Sequence, residues 1–175
     1  MIFNLNFSFG PRWECISTIR NFINDILSIG VTSKGKAEDI TTANSELMEN
    51  LIKYSAVGVA LISIHKDSDM GKITLNISNI ATQENIDMFK TIYEEVIDGP
   101  SKEAYKKRMI KSITNPGKSQ LGLARIRFEC GGNITYQISE DLGSILEPLG
   151  IKKKFDNHKL IKIKVEISAK LSHIN

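Results

Sequence analysis

The chain has 175 residues, 25% charged and 41% hydrophobic, and its 23 basic and 20 acidic side chains leave a net charge of +3. These globular values exclude a disordered or fibrous chain, and the small charge gives no argument for a nucleic-acid partner. Cys15 and Cys130 lack the spacing of a zinc site or disulfide framework, and no apolar run reaches the roughly 18 residues of a membrane span. We expect a cytoplasmic protein with one domain over residues 1–175, without a membrane or nucleic-acid partner.

The apolar residues recur with the period of strands in some segments and of helices in others. In chain order the pattern predicts strand 2–9, helix 12–29, a helix from about Ala37, strands 58–65 and 72–79, helices 82–97, 102–113 and 121–130, and strands 134–138 and 161–167. A polar link is expected at 32–36, a hairpin turn at 66–71, and a helix N-cap at Thr82. Residues 141–159 fit neither period.

These elements predict an α/β protein of the α+β two-layer sandwich type. We expect a mixed, mainly antiparallel sheet with the helices gathered on one face. The hairpin and the alternation of the last strand favour antiparallel pairing. A fold class of this kind does not by itself name a function.

The helix from Ala37 carries polar residues with a helical spacing. Glu46, Asn50 and Lys53 stand at i, i+4 and i+7 and share one helix face. An amide oxygen is a ligand suited to Mg²⁺, and a nearby carboxylate can accept a proton from an attacking hydroxyl. The spacing is compatible with phosphoryl transfer and equally with a solvated surface helix.

A glycine-containing loop leads into a later helix, with the sequence NPGKSQLGLARI at 115–126. Backbone N–H groups at such a helix start form a phosphate cradle, and Gly122 allows close backbone approach to a ligand. The tripeptide Gly117-Lys118-Ser119 does not complete a P-loop, because Ser112 stands where that motif needs its first glycine.

Two segments of the sequence resemble the N-box and G2-box of the histidine-kinase-type ATPases: ELMENLIKY at 46–54 and GKSQLGLARI at 117–126. The hairpin and two lid-like helices between these segments are part of the same resemblance. The likeness is strongest to the anti-sigma factor serine kinases and their SiaB-type relatives. FGPRW at 9–13 and IRNFI at 19–23 also look like the opening strand and helix of that family. The resemblance covers roughly residues 3–140 and the final strand, and it implies the Bergerat ATP-binding fold.

The resemblance implies a role for each matching residue. Glu46 matches the glutamate that activates the acceptor hydroxyl, and Asn50 the asparagine that holds Mg²⁺ between the phosphates. Lys53 and Tyr54 fall at the end of the N-box, where members often have a basic or aromatic residue near the phosphates. The loop that closes over the triphosphate is matched by Gly117, Ser119 and Gly122. Leu123 matches the residue that supports the pocket behind that loop.

The chain departs from the family after the hairpin. Where members have Asp-x-Gly-x-Gly, with an aspartate that accepts the adenine amino group, this sequence reads SNIAT at 78–82. Asn79 stands at the aspartate position and offers an amide oxygen instead, and both glycines are absent.

Two functions follow. The first is an ATP- and Mg²⁺-dependent protein-serine kinase that phosphorylates a small antagonist protein in a partner-switching pathway. The second is a non-catalytic module, nucleotide-sensing or nucleotide-free, that binds and sequesters a regulatory partner. The resemblance implies that the protein partner is an antagonist that resembles an anti-anti-sigma substrate, or a sigma-like factor. A homodimer is compatible with both.

Overall fold

The computed structural model describes residues 3–10, 12–29, 33–56, 60–67, 71–114, 120–147, 150–152 and 155–168. These residues form five strands and six helices. The elements are β1 (Phe3–Phe9), α1 (Trp13–Ser28), α2 (Lys34–Tyr54), β2 (Ala60–Asp67), β3 (Lys72–Thr82), α3 (Gln83–Ile97), α4 (Ser101–Thr114), α5 (Gly122–Phe128), β4 (Asn133–Ser139), α6 (Gly143–Leu146) and β5 (His158–Ser168). Among these residues, no helix is both long and apolar enough to cross a bilayer.

The five strands form one sheet in the order β1-β2-β3-β5-β4. The sheet was expected to be mixed and mainly antiparallel, and all four pairings between its described strands are antiparallel. The predicted hairpin is present, with Ile62 opposite Ile77, and β3 pairs on its other side with β5, where Leu75 lies opposite Val165. The two eleven-residue strands β3 and β5 therefore occupy the interior of the sheet.

One face of the sheet carries the main core. Along β3 the side chains of Ile73, Leu75 and Ile77 are buried, while the residues between them are only half-buried. Helices α2, α3 and α5 cover this face, with α1 packed on α2 and α4 packed on α3 and α5. The result is the predicted two-layer α+β sandwich. Each fully buried aliphatic side chain of this core contributes about 1.5–3 kcal/mol to folding.

A smaller apolar cluster occupies one end of the opposite face. Ile80 and Leu160 are one residue out of phase with the core face of their strands, so they point to the other side. There they pack with Ile145 and Leu146 of α6. Residues 141–159, which the periodicity left unassigned, thus supply a short helix and the start of β5.

Helix α2 begins three residues earlier than the sequence predicts. Residues 34–36, assigned to a polar link, form its first turn, and the Ala37 N–H donates to the Ser33 carbonyl at 2.9 Å. Two lysines and a glycine are unfavourable residues for a helix start, which explains the error. Lys36 is instead held by Asp39, 2.8 Å away in the same turn.

The N-cap at Thr82 is confirmed. Its side-chain oxygen accepts a hydrogen bond from the Asn85 N–H at 3.2 Å, which satisfies one of the free N–H groups at the start of α3. Since Thr82 is also the last residue of β3, this cap fixes the angle at which the chain leaves the sheet.

Candidate functional site

A pocket lies between α2 and the sheet, with α3 and the start of α5 along its rim. Its wall is mainly aliphatic and aromatic, and it includes residues of β3 and β5. The polar side chains on that wall are Asn50, Tyr54, Asn79, Asn85 and Gln120. An apolar wall with a few convergent polar groups is typical of small-molecule sites.

Five of the residues singled out by sequence line this one pocket. They come from three distant parts of the chain: α2, β3 and the start of α5. The residues are Asn50, Tyr54, Asn79, Gly122 and Leu123. The tertiary structure thus brings together segments that the sequence could only list as separate motifs.

Asn79 is a buried amide at the centre of the sheet. It lies on β3 between Ile77 and Ala81, faces the helices, and is only 4% exposed. Its side chain makes no hydrogen bond to another described residue. Neither side-chain atom of Asn79 is among the fully buried atoms that lack a partner, so the amide reaches the open space of the pocket, where a bound molecule can contact it.

Glu46 lies beside the pocket and is held by a residue that the sequence did not reveal. Arg125, on α5, donates a hydrogen bond from Nη1 to Glu46 Oε1 and forms an ion pair with it. The Glu46 side chain is 14% exposed and that of Arg125 is 36% exposed. The pair therefore joins α2 to α5 in partly desolvated surroundings.

Further groups lie close to Arg125. Glu129 Oε2 lies 3.3 Å from Arg125 Nε, although the alignment is not that of a hydrogen bond. Burial of the guanidinium lowers its pKa, but the Glu46 carboxylate, with Tyr105 and Glu129, outweighs burial and holds the pKa of Arg125 above its ordinary value. The pKa of the Tyr105 hydroxyl is raised mainly by the neighbouring Glu129 carboxylate and then by burial. These contacts connect α4 to Glu46 through Arg125.

Gly122 provides the space for the Glu46 carboxylate. A Cβ atom at position 122 would lie 2.8 Å from Glu46 Oε2 and 3.5 Å from Asn50 Nδ2. Glycine was expected here to let the backbone approach a ligand. The structure adds a second reason, because a larger side chain would displace a carboxylate that Arg125 already restrains.

Lys53 is not brought to the pocket. Its Nζ lies 3.2 Å from Glu49 Oε2 and 5.6 Å from the centre of the Trp13 ring, on the side of α2 that faces α1. Gly117 and Ser119 lie outside the described residues, so the predicted phosphate loop is represented here only by Gln120, Leu121 and Gly122.

Asn85, on the wall of the pocket, is another residue that sequence reasoning missed. Its Nδ2 donates to the Tyr54 carbonyl at 3.0 Å and ties the start of α3 to the end of α2. The available signal was its place three residues after the cap Thr82, where side chains often bond backbone groups. Arg125 offered no comparable signal, because its partner Glu46 is 79 positions away.

The donor set around Asn50 suits a metal only together with a ligand. Among the described residues, no group of three or more His, Cys, Asp or Glu side chains could hold a metal ion. Asn50 supplies one amide oxygen at the pocket wall. Mg²⁺ commonly takes one or two protein ligands and completes its shell with phosphates and water, so this arrangement fits a Mg²⁺–nucleotide complex.

Comparison with known proteins supports the fold. No protein-family model and no curated protein sequence matches the chain. Among solved structures, a chain of the SiaB-SiaC complex from Pseudomonas aeruginosa is similar, with a TM-score of 0.69 over 93% of this chain and 89% of that one. The two sequences are 14% identical, so the likeness is one of fold.

Proposed function

We propose that the protein is a Mg·ATP-binding regulatory protein-serine kinase of the anti-sigma factor and SiaB type. The observation that carries this proposal is the convergence of Asn50, Asn79 and Gly122 on one pocket with Glu46 at its edge. The resemblance of the sequence motifs to the Bergerat ATPases and the fold similarity to a chain of the SiaB-SiaC complex both support it.

In this proposal Glu46 is the general base. Its Oε1 is held by Arg125, and its Oε2 lies against Gly122. A carboxylate fixed in this way can accept the proton of a serine hydroxyl placed at the rim of the pocket. Asn50, one helical turn further along α2, would hold Mg²⁺, and the ion when bound supplies neutralisation of phosphate charge. The contribution of the chain is positioning rather than covalent catalysis.

Asn79 would bind the base of the nucleotide. Its amide oxygen can accept from the adenine amino group, as the aspartate of related kinases is expected to do, but without a negative charge. Hydrogen bonds to charged groups are worth about 1.5–3 kcal/mol and neutral ones about 0.5–1.5 kcal/mol. We therefore propose weaker adenine binding than an aspartate would give.

The partner in this proposal is a small antagonist protein in the cytoplasm. SiaB was crystallised in complex with SiaC, which supports a protein partner for a chain that shares the fold. Phosphorylation of a serine on that partner would then switch the partner between two binding states.

A second function, a non-catalytic module that sequesters a partner, is favoured by the Glu46–Arg125 pair. Because Arg125 occupies one oxygen of Glu46, the carboxylate is engaged within the protein in this conformation. A site that binds nucleotide without transferring phosphate would retain Asn50 and Asn79 and have no use for a free base at position 46.

Nucleotide binding is tested first, by isothermal titration with ATP and Mg²⁺. We expect wild type to bind, Asn50→Ala to lose binding that depends on Mg²⁺, and Asn79→Leu to lose adenine-dependent affinity. Asn76→Ala is the matched control, since Asn76 lies on the same strand, points to the opposite face and bonds Ser63 at 3.1 Å. Absence of binding by the wild-type protein would refute the kinase and the nucleotide-sensing module together.

Phosphate transfer then separates the two functions. The purified protein is incubated with γ-labelled ATP and an extract of its native cells, beside Glu46→Gln and Asn76→Ala. The kinase predicts a labelled phosphoserine protein that disappears with Glu46→Gln while ATP binding persists. Binding of ATP by all three proteins with identical labelling would favour the non-catalytic module.

A further inference from the structure

Helix α4 exposes an apolar surface to solvent. Met109, Ile110 and Ile113 are 39%, 63% and 73% exposed and, at positions i, i+1 and i+4, adjoin each other on the helix. Phe128 is 38% exposed and extends this region, because it stacks on Tyr105, one turn before Met109. We refer to Met109, Ile110, Ile113 and Phe128 as the α4 surface.

The flank of the α4 surface is positively charged. Lys102, Lys106 and Lys107 are exposed, and none of the three has an ion-pair partner among the described residues. Glu103 is the one acidic residue of the helix. Three exposed ammonium groups beside an apolar centre complement a surface with acidic residues around an apolar contact.

The opposite side of α4 is anchored. Arg108 is buried and contacts Glu95 of α3 at 3.1 Å and Gln120, just before α5, at 2.9 Å. Lys111 also pairs with Glu95, at 2.7 Å, and it lowers the pKa of that carboxyl more than Arg108 does. The helix is therefore held in place before any partner arrives, which reduces the ordering cost of binding.

The shape of the helix favours a protein over a lipid bilayer. Helices that lie in a membrane interface bury a wide apolar face rich in large side chains. On α4 that width is absent, because Ala104, Tyr105 and Arg108 face the body of the protein and lysines border the exposed apolar residues. A compact apolar centre with a charged rim is typical of protein interfaces.

We propose that the α4 surface is the docking site of a protein partner whose contact face carries acidic residues around an apolar centre. The inference does not require nucleotide binding, because no residue of the α4 surface lines the pocket. The same partner can serve either function considered above.

The test begins with a photo-cross-linking amino acid at position 113 in the native cells, with position 22 as the control. Phe22, on α1, is 50% exposed and so is a matched apolar site away from α4. The protein that cross-links from position 113 is identified, purified and titrated against wild type and variants at low and high salt.

We expect an acidic partner whose affinity falls about tenfold with Lys106→Glu/Lys107→Glu, with a similar loss for Ile110→Ser and weaker binding at high salt. Lys162→Glu and Phe22→Ser, exposed sites elsewhere, should leave affinity within twofold. The proposal is overturned by a cross-link to a second copy of the chain, by binding insensitive to the α4 variants, or by the absence of any cross-link specific to position 113. Binding through α4 to vesicles with 30% phosphatidylserine, with no protein partner, would overturn it too.

Discussion

Removing Arg125 should destabilise the protein by leaving Glu46 without its cation. The pair is intermediate between a surface and a buried ion pair, since Arg125 is 36% and Glu46 14% exposed. Exposed pairs contribute about 0.2–1 kcal/mol, and loss of one partner of a fully buried pair costs about 3–5 kcal/mol. After allowance for solvent screening of Arg125, we expect Arg125→Met to lower the free energy of unfolding by about 1–2 kcal/mol, which is about 3–6 °C in Tm.

A double-mutant cycle isolates the pair itself. Urea unfolding of wild type, Glu46→Gln, Arg125→Met and the double variant should give a coupling energy of about 1 kcal/mol. The matched control is Glu49→Gln with Lys53→Met on the same helix, a pair 3.2 Å apart with both side chains about one-third exposed. Its coupling should be about 0.3–0.5 kcal/mol. A Glu46–Arg125 coupling no larger than the control would refute the assigned geometry.

Gly122→Ala perturbs the same contact sterically. The new Cβ would meet Glu46 Oε2 at 2.8 Å, and the carboxylate would have to turn away from its place between Gly122 and Arg125. Gly122 is the first residue of α5, where alanine favours the helix by less than the roughly 1 kcal/mol of an interior position, so we expect at most a small change in overall stability. The coupling energy between Glu46 and Arg125, measured by the same cycle in the Gly122→Ala background, should fall by at least half; an unchanged value would contradict the close approach.

Three further outcomes test the fold. Thr82→Ala removes the α3 cap and should lower the free energy of unfolding by about 1 kcal/mol, or Tm by about 2–4 °C in calorimetry. The control Thr91→Ala removes an exposed helix hydroxyl and should change Tm by less than half as much. Asn44 is fully buried and its Oδ1 has no partner among the described residues, so Asn44→Leu should raise Tm by about 2–4 °C. A large fall in Tm would instead show that the amide oxygen accepts a hydrogen bond in the folded protein. Burial, with smaller effects of nearby carboxylates, raises the pKa of Cys130 to about 12 from an ordinary 9.0. The stabilisation from the neutral thiol is complete below about pH 9 and is lost as the pH rises towards 12. In urea unfolding, the free energy of unfolding should therefore fall more steeply above pH 9 for wild type than for Cys130→Ala, by up to about 1.4 kcal/mol per pH unit. Equal slopes for the two proteins would contradict this.

Local patterns in the sequence determined most of the secondary structure. The alternation of β5, the hairpin and the cap at Thr82 depend on neighbours along the chain, so they could be found without knowledge of the fold. The same is true of the shared face of Glu46 and Asn50, which helical spacing alone dictates. Where composition conflicted with context, as in the first turn of α2, the prediction was wrong because packing of the whole helix outweighed weak local preferences.

What only the tertiary structure decided is how distant residues meet. The sequence placed Glu46, Asn79 and Gly122 in separate motifs, and the fold brings Asn79 and Gly122 into one pocket with Glu46 beside it. The partner of Glu46 is Arg125, 79 residues away, and no spacing rule connects two charges across that distance. The exposure of the α4 surface is equally a tertiary property, because the opposite side of α4 is fixed by Glu95. Periodicity reports which side of an element is apolar, but the packing of elements determines which side remains in contact with water.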